Sequence, residues 1–292
     1  MPDLLSLVMR LQPAHDDHIP RWTGRAVHAW FLNSLHRLNP ALSQTIHDES
    51  GPKPFTVSSL IGVGREEVVS LRRDQSYRLR ITTLHPDLTH LVLDSLLPMW
   101  LSEGINLHDQ PFRVLAAITD PTSEPWAGVT TYRDLFEQEG LNPLQRELPR
   151  TLHFVFGAPT AFNKTVGESG VKAQINLPQP ELVFGSLYER WKHYAGIDLH
   201  PELPAFVREC VLIAYHQIET QRVSFERASK GAVTGFVGKV GFQVAGGDAF
   251  WLRHMATLGA FALYSGVGIR TAMGLGQARM RIEGWDGAGK DS

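Results

Sequence analysis

The sequence predicts an α+β protein made of two consecutive βαββαβ units, the second of which ends in a glycine-rich loop. Three observations support this fold class. The order of strand-like and helix-like segments in the second half resembles that in the first, with insertions, a polar stretch separates the halves, and four glycines cluster before the last strand. The 292 residues suffice for two cores. We expect domains at 1–120 and 150–292, joined by a connector at 121–149.

The first unit follows from hydrophobic periods of two for strands and 3.6 for helices. Its predicted elements are a strand at 4–11, a helix at 22–38 ended by Asn39-Pro40, a strand-like segment at 55–60, a strand at 76–83, a helix at 86–97 and a strand at 112–118. The order of these segments is βαββαβ.

The order in the second unit resembles that of the first, with insertions. Its predicted elements are a strand at 151–156, helices at 180–194 and 204–217, a strand at 236–245, a helix at 248–264 and a strand at 278–283. Two such units predict tandem ferredoxin-like (RRM-like) domains, each an antiparallel four-stranded sheet backed by two helices. This fold hosts many unrelated activities, so function has to be argued from particular residues.

Composition limits the classes of partner. The formal net charge is −2, so any polyanion site must be a local patch. The single cysteine, Cys210, cannot form an internal disulfide, and its apolar neighbours predict a small buried side chain in a helix. The N-terminus lacks a signal-peptide pattern, and no run is long enough for a membrane span. We therefore expect a cytoplasmic protein without a membrane partner.

The glycine-rich loop at 266–276 is a candidate site for a polyanion. Clustered glycines permit positive φ and let backbone amides point at phosphate oxygens, and arginines add charge. The spacing fits neither a dinucleotide fingerprint nor a P-loop. A tight turn packed under the sheet is the alternative. The residues expected to contact a polyanion here are Gly266, Gly268, Arg270, Thr271, Gly274, Gly276 and Arg279.

His47 and Lys53 lie six residues apart across a Gly-Pro turn. Cleavage of RNA without metal needs proton transfer from the 2′-hydroxyl and to the 5′-oxygen, with positive charge at the phosphate. A histidine titrates in the right range, and a lysine supplies a fixed charge. In isolation this pair is weak evidence, since a histidine beside a turn is more often a solvated or capping residue.

Four stretches together resemble the CRISPR-associated repeat-RNA endoribonucleases (CRISPR-associated protein 6) of the RAMP superfamily. They are N-P-x-L followed by I-H-D-E-S-G-P-K-P-F-T-V-S at 39–58, F-G-A-P-T-A-F at 156–162, L-Y-E-R-W at 187–191 and G-V-G-I-R-T-A-M-G-L-G at 266–276. The resemblance implies one cut per repeat of a CRISPR precursor RNA, without metal or cofactor, leaving a 2′,3′-cyclic phosphate or 3′-phosphate and a 5′-hydroxyl. It places His47 on the family's catalytic histidine and Lys53 on its lysine.

One position departs from the resemblance. Some members carry a catalytic tyrosine on the first helix, where this chain has Leu32. His28 and His36 lie four residues to either side and share its helical face, so either could replace the tyrosine. We name His36 as the third candidate catalytic residue, the alternative being an ordinary solvated histidine.

The chain has three other clusters of charged residues. One cluster predicts either a basic hairpin that grips RNA or a solvated loop. It contains Arg227 and Lys230, with Arg222 and Lys239 nearby. Arg78 and Arg80 share a strand face that is directed to RNA or to solvent. The segment His15-Asp16-Asp17-His18 lies in a short proline-bracketed loop, and we expect no metal there.

The leading hypothesis is therefore an active endoribonuclease whose partner is CRISPR precursor RNA. A non-catalytic RNA-binding subunit of a CRISPR effector complex is the alternative, kept open by the missing tyrosine. Association with an effector complex and formation of a homodimer are also left open.

Overall fold

The structure is a computed structural model that describes residues 1–48, 51–141, 149–166, 170–225 and 231–281. The chain divides into two compact units. The first comprises Met1–Thr131 and Arg270–Gly274, and the second comprises Tyr132–Ile269 and Leu275–Ser292. The middle of the glycine-rich loop therefore belongs to the first unit, and its two ends belong to the second.

The first unit contains eight strands and four α-helices in its described part. The strands are β1 (Leu4–Pro13), β2 (Asp17–Pro20), β3 (Phe55–Val57), β4 (Val68–Leu71), β5 (Tyr77–Thr83), β6 (Ile105–Leu107), β7 (Gln110–Ile118) and β8 (Gly128–Thr130). The helices are α1 (Gly24–Leu38), α2 (Pro40–Asp48), α3 (Pro86–Leu91) and α4 (Leu97–Glu103), with a π-helical turn at Val92–Leu96 and a 3₁₀ turn at Thr271–Met273.

The main sheet of this unit is antiparallel, in the order β3-β5-β1-β7-β6, and β8 also pairs with β1. Its four main strands, taken in chain order as β1, β3, β5 and β7, have the spatial order 2-3-1-4 of a ferredoxin-like domain. The predicted fold of this unit is confirmed.

Helix α1 shows how the core fixes the position of the site. Val27, Phe31 and Leu35 are spaced by four and are fully buried. The ring of Phe31 packs against Phe55 of β3 at 4.7 Å and against Trp100 of α4 at 6.2 Å. Burial of such side chains contributes about 1.5–3 kcal/mol each, so α1 and β3 are held firmly together.

The second unit contains four α-helices and six strands in its described part. They are α5 (Tyr132–Leu141), β9 (Thr151–Thr160), β10 (Phe162–Val166), β11 (Val171–Ile175), α6 (Pro180–Tyr194), α7 (Leu203–Cys210), β12 (Val211–Val223), β13 (Val233–Val244), α8 (Ala249–Ser265) and β14 (Ala278–Arg281). Strands β12-β13-β9-β14 form an antiparallel sheet, again in the order 2-3-1-4, while β10 and β11 form a separate hairpin. The second ferredoxin-like domain is therefore also confirmed.

One predicted element of the second unit is wrong. The helix expected at 204–217 ends at Cys210, and Val211 begins a 13-residue strand that pairs with β13. An apolar run of this length fits a helix or a strand equally well, and pairing with a distant strand decides between them. Cys210, expected to be buried within a helix, is the half-buried last residue of α7.

Within the described residues, no helix has both the length and the apolar character needed to cross a membrane.

Candidate active site

The end of α2 and Lys53 form the first part of the site. Asn39 begins the helix by accepting a hydrogen bond from the Leu42 amide at its Oδ1, 2.9 Å away, and Ile46 anchors it in the core with 3% of its surface exposed. The Lys53 ammonium donates to the Ile46 carbonyl oxygen at 2.6 Å. A cation at the carbonyl end of a helix is electrostatically favourable.

This hydrogen bond brings Lys53 next to residue 47. The Ile46 carbonyl carbon is bonded to the backbone nitrogen of His47, so the ammonium lies beside the last turn of α2. His47 itself belongs to α2, but its side chain lies outside the part that the structure describes. The Lys53 ammonium thus lies next to the backbone of His47, the residue that the sequence analysis paired with it across the Gly51-Pro52 turn.

Strand β3 and His28 form the second part of the site. β3 begins at Phe55, two residues after Lys53, and the buried Phe55 ring stacks on His28 of α1 at 5.6 Å. His28 Nδ1 lies 2.8 Å from the Ala272 carbonyl oxygen. Because a carbonyl only accepts, Nδ1 carries the proton of this hydrogen bond. His28 therefore links α1 and β3 to the middle of the glycine-rich loop.

The loop segment 270–274 packs closely on the same two elements. A Cβ atom on Gly24, at the start of α1, would lie 2.0 Å from the Met273 carbonyl oxygen. Ser58, just after β3, forms a parallel bridge with Gly274, which has a φ of 94°. Arg270 begins the segment at a left-handed φ of 55° and is exposed. Within the first unit, contacts therefore join α1 and β3, which begins two residues after Lys53, to this segment.

The ends of the loop direct their amides into the protein. The Gly268 amide donates to Ser186 Oγ at 2.9 Å, and a Cβ atom on this residue, whose φ is 80°, would lie 2.4 Å from the Ala161 carbonyl oxygen. The other inward bonds are Gly266 to Ala262, Val267 to Gly276, Ile269 to Ala161 and Gly276 to Pro159. The expected row of amides facing a phosphate is therefore wrong for 266–269, where glycine instead permits close backbone packing.

Arg190 holds this part of the loop, a role that the sequence did not indicate. Its side chain is half-buried, and its guanidinium donates to the carbonyl oxygens of Ser265, of Gly266 at 3.2 Å and of Gly268 at 2.6 Å. Burial lowers the pKa of Arg190 to about 10, so it stays charged at neutral pH. The sequence could have indicated this role, because Arg190 lies in α6 between the buried residues Leu187 and Trp191.

Two family profiles match most of the chain without overlapping. The profile described as CRISPR Cas6 N-terminal domain matches residues 1–137, and that described as CRISPR-associated endoribonuclease Cas6 matches residues 154–278. The chain belongs to the Cas6 family. A Mycobacterium tuberculosis protein described as CRISPR-associated endoribonuclease Cas6 is 31% identical over 133 residues, which are 45% of this Cas6 chain. The match spans only 39% of that relative's length.

Solved Cas6 structures resemble almost the whole length of this Cas6 chain. A Thermus thermophilus Cas6, solved as a product complex, has a TM-score of 0.77 at 25% identity, covering 96% of this chain and 100% of its own. A second Cas6 product complex has a TM-score of 0.71 at 26% identity, covering 95% and 99%. A Cas6-related protein from Pyrococcus furiosus, at 15% identity and a TM-score of 0.60, shares the fold.

The remaining predicted site residues of this Cas6 chain are more scattered. Leu32 is half-buried and packs on the core, whereas His36 is exposed near the end of α1. Thr271 is buried in the 3₁₀ turn, and Arg279 is half-buried in β14. Arg227 and Lys230 lie outside the described residues. The catalytic role of His36 and the RNA-binding roles of the others stay predictions.

Arg80 is covered by the protein, which corrects for this residue the expectation that the face is directed to RNA or to solvent, whereas the Arg78 side chain stays 41% exposed. Arg80 is 1% exposed, donates from Nε to Ser6 Oγ at 2.8 Å and lies 5.3 Å above the Trp126 ring. Arg78 forms an ion pair with Glu124 at 3.2 Å. Both arginines therefore stabilise the first unit.

The His15–His18 segment forms a turn and the start of β2. Asp16 accepts a hydrogen bond from the Arg73 amide at 2.7 Å, and Asp17 accepts one from the His18 amide at 2.7 Å. Across the described ranges, no three His, Cys, Asp or Glu side chains converge to hold a metal ion.

Proposed function

We propose that this chain is an endoribonuclease that binds CRISPR precursor RNA and cuts it once per repeat without a metal ion. The observation that carries the proposal is the hydrogen bond from Lys53 to Ile46. It fixes an ammonium beside residue 47 at the end of a helix anchored in the core. Family membership supports the substrate class, since both matching profiles describe Cas6 proteins.

The proposed reaction is an attack within the RNA. The 2′-oxygen forms a bond to the adjacent phosphorus while the bond from phosphorus to the 5′-oxygen breaks. The 2′-hydroxyl loses a proton to a base, and the departing 5′-oxygen gains a proton from an acid. The products are a 2′,3′-cyclic phosphate and a 5′-hydroxyl. We assign proton transfer to His47 and stabilisation of the phosphate charge to Lys53.

Position supports this division of roles. Lys53 is held by the carbonyl end of α2, so its charge is fixed in place before RNA binds. Charge that is already in position costs no reorganisation when negative charge develops on the phosphate. Within the first unit, Phe55 follows Lys53 by two residues and stacks on His28, which bonds to Ala272, and exposed Arg270 belongs to the same unit.

The proposal is tested by incubating the purified chain with its own repeat RNA in excess EDTA. We expect one cut per repeat, with product ends that are phosphatase-resistant until mild acid opens the cyclic phosphate. Tight binding without cleavage, with or without added Mg²⁺, would overturn the proposal in favour of a non-catalytic RNA-binding subunit. Cleavage that requires Mg²⁺ and leaves a 3′-hydroxyl would overturn the proposed mechanism.

Arg270→Ala is expected to weaken binding of repeat RNA and to reduce the dependence of log K on log salt by about 1, because one phosphate contact is lost. The measurement is a titration by fluorescence anisotropy at several salt concentrations. Arg133→Ala is a matched control, since Arg133 is an exposed arginine of α5 with 78% of its side chain accessible. Equal salt slopes for both variants would remove Arg270 from the RNA site.

A further inference from the structure

One face of the sheet in the second unit is not packed against its helices. Phe154 of β9 and Phe242 of β13 pack on Phe184 of α6. Alternate residues of a strand point to opposite faces. His153 and Gly241 therefore lie on the other face of this sheet, which we call the open face.

A row of three residues crosses the open face. Tyr215 of β12 pairs with Gly241 of β13, and Gly241 pairs with His153 of β9. A Cβ atom on Gly241 would lie 2.2 Å from Tyr215 Cε1 and 2.7 Å from its Cδ1. The tyrosine ring therefore lies directly over the backbone of the neighbouring strand, in the space that any larger residue at 241 would fill.

The glycine at 241 is explained by this ring. It does not have the positive φ that favours glycine, and glycine inside a strand weakens the strand. Strand glycines mark bulges or close approach of another group, and here β12 has a register shift between Ile213 and Tyr215, opposite Gly241, where the Tyr215 ring occupies the space of a Cβ atom. The backbone of β13 at Gly241 thus forms a flat packing surface for an aromatic side chain.

A hydrogen bond to His153 fixes the Tyr215 ring on this surface. Tyr215 Oη lies 2.7 Å from His153 Nδ1, and the two rings are 5.8 Å apart with 30° between their planes. Both side chains are half-buried, so each presents part of its surface. Burial raises the pKa of Tyr215 and lowers the pKa of His153, so both rings are neutral at neutral pH.

Three basic residues share the open face with this pair. Arg281 of β14 pairs directly with His153, and Arg279 and Lys239 both pair with Val155, two residues along β9. The two rows of residues are about 7 Å apart, given a rise of about 3.4 Å per residue in a strand. The aromatic ring and three cations therefore share one face of the sheet, with Lys239 on β13 and both arginines on β14.

We propose that the open face binds single-stranded RNA, with one base stacked on Tyr215 and the neighbouring phosphates held by Lys239, Arg279 and Arg281. The choice of RNA as ligand rests on the proposed function. A fixed aromatic ring beside cations is how four-stranded sheets of this topology bind bases and phosphates. All four residues lie in the second unit, whereas Lys53 lies in the first, so this is a contact additional to the cleavage site.

The test measures binding of a labelled 12-nucleotide single-stranded RNA to the full chain carrying His47→Ala, which prevents cleavage from confusing the titration. Tyr215→Leu, which removes the ring and keeps apolar bulk, is expected to weaken binding about tenfold, equivalent to about 1.4 kcal/mol. Tyr215→Phe, which keeps the ring, is expected to stay within about threefold of its parent. Tyr188→Leu on α6 is the matched control and is expected to bind as its parent does.

A second measurement keeps the test decisive if Tyr215→Leu folds poorly. RNA carrying 5-iodouridine is expected to crosslink to the peptide containing Tyr215 in the otherwise unchanged parent. A folded Tyr215→Leu variant of parental affinity, or crosslinks only to other peptides, would overturn the proposal. If the wild-type chain cleaves repeat RNA in EDTA but Tyr215→Leu binds normally or the crosslinks lie elsewhere, only the open-face contact is refuted. If binding depends on Tyr215 but no RNA is cleaved, only the endoribonuclease activity is refuted.

Discussion

Replacing His47 by alanine is expected to lower the single-turnover rate of repeat-RNA cleavage by about 10²- to 10⁴-fold, which is the usual contribution of a positioned proton-transfer group. RNA affinity is expected to change by less than about threefold, because alanine removes a proton-transfer group and leaves the loop, Arg270 and Lys53 in place. The measurement is a quench-flow time course with enzyme in excess over labelled repeat RNA, paired with a binding titration of each variant.

Thr45→Ala is the matched control, because Thr45 is an exposed residue of the same helix and its hydroxyl bonds only to the Ala41 carbonyl among the described contacts. It is expected to cleave at the wild-type rate. His36→Ala and His28→Ala are assayed alongside. A lower cleavage rate in one of them shows which histidine of α1 replaces the missing tyrosine. Wild-type cleavage by His47→Ala would contradict the assignment of proton transfer to this residue.

Replacing Arg190 by alanine is expected to lower the free energy of unfolding by about 2–5 kcal/mol, because buried and half-buried carbonyl oxygens of the loop lose their donor, at a cost of about 1–3 kcal/mol for a buried group. The carbonyl oxygens of Ser265 and Gly268 depend on Arg190, whereas that of Gly266 also accepts from the Ser265 hydroxyl at 2.9 Å. The measurement is equilibrium unfolding in urea, with the midpoint and slope fitted for each variant.

Two further variants isolate the cause of this loss. Arg190→Lys keeps the charge but not the planar fork, so its stability is expected to fall between wild type and Arg190→Ala. Arg253→Ala removes an exposed arginine of α8 and is expected to change stability by less than about 0.5 kcal/mol. Unfolding of Arg190→Ala at the wild-type midpoint would show that the loop does not depend on this guanidinium.

The regular elements were predictable because their periodicity is local. The strand at 4–11 and the helix at 22–38 appear as β1 and α1 with ends shifted by two residues, since buried side chains recur at the periods that these elements require. The strand β12 was missed because it depends on pairing with β13, and the pairing of Ile213 with Phe242 spans a separation that no local pattern contains.

Long-range contacts also explain which site residues the sequence could not assign. Arg80 looked like a surface cation, yet Trp126, 46 residues later, covers it. The glycine loop looked like an anion cradle, yet Ser186 and Ala161 accept its amides from distant parts of the chain. Lys53 was an easier case, since its partner at Ile46 lies only seven residues away.

The measurement that tests the central claim most directly uses repeat RNA with a single 2′-deoxy substitution at the nucleotide preceding the cut. Attack by the 2′-oxygen requires that hydroxyl, so the modified RNA is expected to bind with unchanged affinity and to remain intact in excess enzyme. Cleavage of the modified RNA at the same position would contradict the account, because the nucleophile would then have to be water.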